Sequence, residues 1–269
     1  MYRKSTYLKH KYDLELVQIE EFDDNKQLTY IKEINREGTI ETRFEFDENG
    51  NVSEEKNYVD GVISDTSKYL FDKDGSLLSH KFIIDNEVVE ETIIEYSEFK
   101  TTETIFQNGE EAKKTITDYK EGESIELTYE FGELVEKKIS EELHLFTKSI
   151  EYNSENEIVF FENYYFNEKD QVTKHEILTP NKEVISVENY TYDNENLSEI
   201  SFSSDEESNC QKYYRDENDN LIKFEITDGH GRIVYFSHSV FDSSNREIEK
   251  VVLMNGNEEL FEIKYEGVE

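Results

Sequence analysis

The sequence predicts an all-β fold: an antiparallel meander of roughly twenty short strands, built from β-hairpin repeats of about 24 residues. Three observations predict it. The chain carries 18 Tyr and 17 Phe with few Ala and no Trp, and such side chains suit a pleated, half-buried surface better than a helical bundle. Asp-Gly and Asn-Gly pairs recur between alternating segments, and these residues tolerate the positive φ that tight hairpin turns require. An aromatic residue next to Asp returns at near-constant spacing, Phe22, Phe46 and Phe71 lying 24 and 25 residues apart, and the beat continues less clearly through Tyr96 and Tyr119, 25 and 23 residues on. A period in this range denotes a repeat architecture.

Taken in order, residues 1–16 hold Tyr7 and Tyr12, available to pack as a first strand or cap. The aromatic mark then precedes a polar turn and an aliphatic residue: Phe22-Asp23 before Leu28, Phe46-Asp47 before Val52, Phe71-Asp72 before Leu77. Second turns sit between the marks at Arg36-Glu37-Gly38, Asp60-Gly61, Asp85-Asn86 and Asn108-Gly109. Each unit is therefore two strands of about 7–9 residues and two turns. A further turn is read at Asp118–Gly122, and Leu127, Tyr129 and Phe131 alternate on one face after it. Residues 140–148, SEELHLFTK, read as a short helix capped by Ser140, or equally as an irregular strand or wide turn.

The marks resume at Tyr152-Asn153, Phe166-Asn167, Tyr192-Asp193, Tyr214 and Phe241-Asp242, with the only proline in the turn Thr179-Pro180-Asn181-Lys182. The clearest unit is Lys223–Ile248, where Phe224 and Ile226 share a face before the turn Asp228–Arg232. The last hairpin turns at Asn255-Gly256 and returns through Phe261, Ile263 and Tyr265. No Pro/Gly/Ser-rich linker interrupts the series, so residues 1–269 read as a single domain, with a weak break near 138–150. So many strands cannot stay flat. A wound or coiled sheet with an aromatic inner face is the first expectation, and a barrel-like shell or propeller the alternative.

The net charge is −35, from 29 basic and 64 acidic residues. That field repels nucleic-acid phosphates and anionic membranes, which argues against both as partners, and it attracts a basic protein. The simpler reading is that acidity keeps a large sheet soluble and blocks edge pairing. One cysteine, Cys210, excludes an internal disulfide framework. No signal-peptide apolar run and no stretch near 18 apolar residues occurs, so the chain reads as cytoplasmic.

The search for chemistry names no catalytic, cofactor-binding or metal residue, and the chain reads as a non-enzyme needing no cofactor. The turns from Asp72 and Asp216 lack the sixth-position Gly and twelfth-position Glu of a calcium loop, and turn chemistry explains their acids. His10, His80, His144, His175, His230 and His238 show no metal-ligand spacing. Cys210 sits among acids that raise a thiol pKa and blunt a nucleophile. With 64 acids, carboxylate pairs arise by abundance alone. In Tyr164-Tyr165 and Tyr213-Tyr214 neighbouring rings alternate faces, so one of each pair points outward, as interaction tyrosines do.

The copies FDENGNV, FDKDGSL, YDNENL and DGHGRIVYFSHSVFDSSNREI resemble the YD (Rhs-type) repeat, Gly231-Arg232-Ile233 standing for its Gly-Arg-Leu element. Residues 116–131 and 253–267 are similar to the MORN-like repeats of some bacterial antitoxin-type proteins. The resemblance implies β-hairpin arrays that serve as toxin shells, surface scaffolds or immunity proteins. Together with the charge it gives the leading expectation, a bacterial immunity-type protein that captures a basic partner such as a toxin through an acidic surface. Two alternatives stand beside it: an extracellular or surface carbohydrate-binding module or hydrolase, and an acidic structural scaffold. The binding face, the partner's identity and the oligomeric state are left open.

Overall fold

The computed structural model describes residues 1–11, 13–254 and 256–267. Tyr12 and Asn255, given roles in the first strand or cap and in the last turn, lie outside the described residues. The described chain is all-β, 22 strands in an antiparallel meander: β1 (Tyr2–Lys9), β2 (Leu14–Phe22), β3 (Leu28–Asn35), β4 (Gly38–Phe46), β5 (Val52–Val59), β6 (Val62–Phe71), β7 (Leu77–Ile84), β8 (Glu87–Ser97), β9 (Lys100–Gln107), β10 (Glu110–Lys120) and β11 (Glu123–Glu130). They continue as β12 (Glu133–Leu143), β13 (Phe146–Asn153), β14 (Ile158–Phe166), β15 (Val172–Leu178), β16 (Val184–Asp193), β17 (Asn196–Ser204), β18 (Ser208–Arg215), β19 (Leu221–Asp228), β20 (Ile233–Phe241), β21 (Glu247–Met254) and β22 (Asn257–Glu266).

The recurring aromatic-Asp mark has one structural meaning. A register shift falls immediately before Phe22, Phe46, Phe71, Tyr152, Phe166, Tyr192 and Phe241, and in each case the extra residue lies in the following strand, so the aromatic stands opposite a β-bulge that bends that next strand and increases its twist. A capped turn then follows in all but the Tyr192 copy. At Asp23, Asp47, Asp72, Asn153, Asn167, Asp216, Asp228 and Asp242 the side-chain Oδ1 accepts the backbone N–H groups two and four residues on, at 2.8–3.1 Å. The residue three places on takes positive φ, whether Gly50, Gly75 and Gly231 or Lys26, Asn156, Asp170, Asp219 and Asn245. The capping bonds hold that conformation where glycine is absent.

The Arg36-Glu37, Asp60-Gly61, Asp85-Asn86 and Asn108-Gly109 turns fall where the sequence places them. Residues 140–148 hold neither a helix nor a wide turn. Ser140 is inside β12, and His144-Leu145 is a two-residue hairpin loop into β13, with Leu143 opposite Phe146. Ladder bonds to both flanking strands outweigh the local helix signal. β10 likewise runs through Tyr119 to Lys120, leaving Glu121-Gly122 as the turn. Phe131 does not share a face with Leu127 and Tyr129: it opens a tight turn at φ 48° and is 79% exposed.

Two compact units divide the chain. One comprises residues 1–97, 101–114 and 260–269; the other comprises 98–100 and 115–259, and so contains the 138–150 segment. In the first, β1 pairs with β2 from Tyr2↔Phe22 to Lys9↔Leu14 and also with β22 from Arg3↔Glu266 to Leu8↔Phe261. The sequence left open whether the wound sheet closes; β1 and β22 are neighbours, which is the pairing the barrel-like alternative requires. In the second, each strand pairs antiparallel with the next from β11–β12 to β20–β21.

The aromatic inner face is not found. Ile19, Ala112 and Ile263 are the buried apolar residues among those described, whereas Ser5, Ser67, Thr128, Ser149, Glu176, Ser237 and Ser239 are the buried polar ones. The chain exposes 17607 Å², against about 12000 Å² for a packed protein of 31.9 kDa. A sheet wetted on both faces buries short side chains beneath the long side chains of neighbouring strands. Its aromatics pair along the ladder, as Tyr2 does with Phe22 at 4.4 Å and Phe146 with Tyr165 at 5.0 Å.

Two predictions follow from the turns. Gly38 has φ +147°, and a Cβ there would stand 2.5 Å from Asp60 Oδ1, the atom that accepts the Thr39 N–H at 2.9 Å. Gly38→Ala should cost roughly 1–3 kcal/mol of stability, read as a lowered denaturation midpoint. Hydrogen bonds hold the Asp47, Asp216, Asp228 and Asp242 carboxyls below the usual value of 3.8, Asp228 at about 2. A depressed folded-state pKa gives stability present above the unfolded value and lost as pH falls through the folded one. Replacing these four by Asn, which caps the same turn at Asn153 and Asn167, should flatten the loss of stability between pH 3.8 and about 2.

Candidate functional site

In the second unit the β17–β18 ladder runs from Ser203↔Ser208 to Glu199↔Lys212 and stops there, although β18 continues to Arg215. Asn196 and Leu197 pair instead with β16, and Tyr213 to Arg215 with β19. Both outer pairings carry a register shift near these ends, at Thr191/Tyr192 and Tyr214/Arg215. The first bulge bends β17 itself, at Ser198, and the second bends β19, at Ile222, where it pairs with the end of β18. The parted strands leave an open cleft of about 650 Å³, closed at its inner end by the Glu199–Lys212 ion pair at 3.4 Å.

Five carboxylate residues line this cleft, Asp193, Glu199, Asp216, Glu217 and Asp219, against two cations, Lys212 and Arg215. Much of the cationic charge is already engaged. Arg215 donates through a guanidinium Nη to the Asp219 carbonyl at 3.0 Å and stands 3.8 Å from its carboxylate. Asn196 donates to Asp219 Oδ1 at 2.8 Å and fixes the turn from Asp216 against the start of β17. Glu217 and Asp193 face solvent.

Tyr213 and Tyr214 both border the cleft, and of the two Tyr214 is the exposed one. Tyr214 lines the cleft, 39% exposed, with its hydroxyl donating to Glu225 at 3.0 Å and Lys223 Nζ 4.6 Å from its ring centre. Its hydroxyl pKa is raised by the Glu225 hydrogen bond and by burial. Tyr213 packs on Phe224 at 4.9 Å. Burial, then Glu199, raises the Cys210 thiol, so burial leads where the sequence pointed to the acids. Among the remaining sequence candidates, Asp72 and Asp216 spend their Oδ1 atoms on turn N–H groups. His230 lies in the Asp228 turn and His238 in β20.

The other tyrosine pair belongs to a polar tie that sequence reasoning does not find, because its members come from four strands. On one face Glu162 accepts from Lys138 Nζ at 2.6 Å, the Tyr164 hydroxyl at 2.9 Å and, at 3.0 Å, the His175 Nε2. His175 Nδ1 lies 3.4 Å from Glu188, which also accepts from the Tyr190 hydroxyl. The Tyr164 ring stacks on His175 at 4.3 Å. Burial pushes the Glu162 carboxyl upward, but its three donors outweigh that and hold it below the usual range. Burial and Glu162 push Tyr164 up to about 12. On the opposite face Tyr165 donates to Glu176 at 2.7 Å. Glu162 engages both its oxygens with these donors, whereas both contacts of Glu188 are to its Oε2, and together the bonds fasten β12, β14, β15 and β16. No cluster of metal-ligating side chains occurs among the described residues.

No family model and no curated protein matches the chain. Among solved structures it is similar to TcdB2-TccC3 without its hypervariable C-terminal region, at 13% identity and TM-score 0.33 over 91% of this chain and 15% of that one. It is also similar to the Photorhabdus luminescens Tc holotoxin pore, at 10% identity and TM-score 0.27 over 94% and 18%. A porin-like protein from Bacteroides uniformis matches at 8% identity and TM-score 0.33 over 98% and 97%.

Removing the shared acceptor tests the tie. Glu162→Leu leaves Lys138 and His175 without it and should cost roughly 1–3 kcal/mol. Adding Lys138→Met should cost less than the two single changes summed, which denaturant titration of the four proteins in the cycle measures.

Proposed function

We propose that this chain is a non-enzymatic binding protein whose acidic surface captures a basic protein partner, in the manner of an immunity or antitoxin-type protein. The observation that carries the reading is the β17–β18 cleft, where five carboxylate residues face two cations already engaged by acids. An incoming Lys or Arg side chain meets uncompensated negative charge in a partly enclosed space, where ion pairing is screened less than on open surface. Exposed Tyr214 adds an aromatic wall of the kind enriched at protein interfaces. The net charge of −35 would steer such a partner from a distance and speed encounter. The resemblance to YD-type and MORN-like repeats fits this reading, since members of those groups include immunity proteins.

A fluorescently labelled octalysine peptide tests the electrostatic part. It should bind at low ionic strength, and binding should weaken steeply as salt rises. The pair Asp193→Asn and Glu217→Gln should weaken binding by about threefold to tenfold without changing the melting temperature. Equal binding by wild type and variant would remove the cleft from the interface. Absence of binding at low salt would remove the basic-partner reading, and a soluble-oligosaccharide screen would then test the carbohydrate alternative.

A further inference from the structure

We infer that in the second unit the hollow over β13, β14 and β15 binds a small organic acid with an aromatic body, its carboxylate held by Lys148 and Lys182 and its ring by Phe146, Phe161 and Leu178. The inference is independent of the basic-partner reading, because it concerns a ligand of the opposite charge.

One face of the sheet builds the hollow. Phe146 and Lys148 stand two residues apart on β13 and so point to the same side. Lys148 is opposite Asn163 on β14, and Phe161, two residues from Asn163, is opposite Leu178 on β15. No register shift falls among these pairs, so the five side chains share that face. Lys182 comes from the turn after β15, where its N–H donates to the Thr179 carbonyl at 2.8 Å and the Glu183 N–H donates to Thr179 Oγ1 at 3.1 Å. Together these residues line about 270 Å³. At about 30 Å³ per water molecule this is room for roughly nine waters, which suits one ring and a short acid chain.

Charge selects the ligand. The charged residues lining the hollow are the two lysines, and among the described residues neither has an ion-pair partner. In a chain of 64 acids and 29 bases a carboxylate partner is abundant, and Lys4, Lys32 and Lys138 each have one. The acids near the hollow do not serve. Glu141, opposite Lys148, and Glu183, beside Lys182, are exposed and pair with neither lysine. Glu176 accepts from Asn163 Nδ2 at 3.1 Å and is already engaged by Lys174 and, at 2.7 Å, by the Tyr165 hydroxyl. An incoming carboxylate thus meets two ammonium groups and no acid in the lining, while its ring displaces water from the two phenylalanines and the leucine. A cation would be repelled by the lysines, and a wholly polar anion would leave the apolar wall wet. The net charge of −35 repels anions from afar, but in about 0.15 M salt charges more than about 8 Å away are largely screened, whereas contacts inside the hollow are not.

The test is ligand-observed NMR titration of the whole chain in about 0.15 M salt with four probes: 3-phenylpropionate, 3-phenylpropionamide, 3-phenylpropylamine and acetate. The phenyl acid should bind at least about fivefold more tightly than its amide, and more tightly still than the amine or acetate. The double change Lys148→Met/Lys182→Met keeps the length of both side chains and should bring acid and amide to equal affinity. Lys148→Arg/Lys182→Arg should retain the preference, and Lys113→Met, at an exposed position on β10, should leave it unchanged. The melting temperature of each variant reports that it is folded. Equal binding of acid and amide by the wild type, or tighter binding of the amine, would overturn the inference, as would no binding of the acid at about 10 mM. A preference that survives the double Met change would place the anion elsewhere and overturn it too. Acetate binding as tightly as the phenyl acid would refute the aromatic part of the assignment.

Discussion

The interaction on which the structure depends is a single side-chain oxygen accepting two backbone N–H groups in a turn. At eight positions an Asp or Asn caps the loop that follows its strand, and the residue three places on is held at positive φ. In all eight copies a register shift falls immediately before the residue that precedes the cap, with the bulge in the following strand. Loop length fixes the register of the next strand, and the bulge sets the bend at which that strand leaves. Repetition of this device lets a long meander keep its register with few buried apolar side chains.

That economy has a consequence for how the sheet is held. Three apolar residues are buried among those described, so cohesion comes from ladder hydrogen bonds, cross-strand aromatic pairs and polar ties such as Lys138–Glu162–His175–Glu188. Opposite charges facing each other across strands add to pairing and like charges subtract from it. The partly covered lysines Lys4, Lys32 and Lys138 accordingly meet Glu20, Glu41 and Glu162. The remaining acids are left to the turns and strand ends, where they give the molecule its external field.

The same bulges that bend the sheet open the cleft between β17 and β18. Arg215 occupies the position before Asp216, as Thr227 does before Asp228, where an aromatic stands in the other six capped copies, and the register shift falls at Tyr214/Arg215. The departure from the repeat is visible in the sequence as Tyr-Tyr-Arg-Asp in place of aromatic-Asp. That the strands part there is not visible, because it requires the bulges of two different hairpins to act on facing ends. The polar tie was equally hidden: Glu162, Tyr164 and His175 become neighbours only through the β14–β15 register.

The sequence by itself determined the all-β class, the hairpin repeat and most turn positions. These rest on local chemistry: the φ tolerance of Gly and Asn, the capping reach of Asp, and the period of the aromatic mark. It left the segment from Ser140 to Lys148 open between helix, irregular strand and wide turn, and pairing with both flanking strands decides for strand. It also misplaced Phe131, which the turn carries out to solvent. Only tertiary structure decided that β1 lies beside β22, that small polar residues occupy the buried positions, and that β17 and β18 diverge. Each of these depends on which distant strands meet and in what register, and a periodic sequence carries little of that information because every repeat offers nearly the same partners.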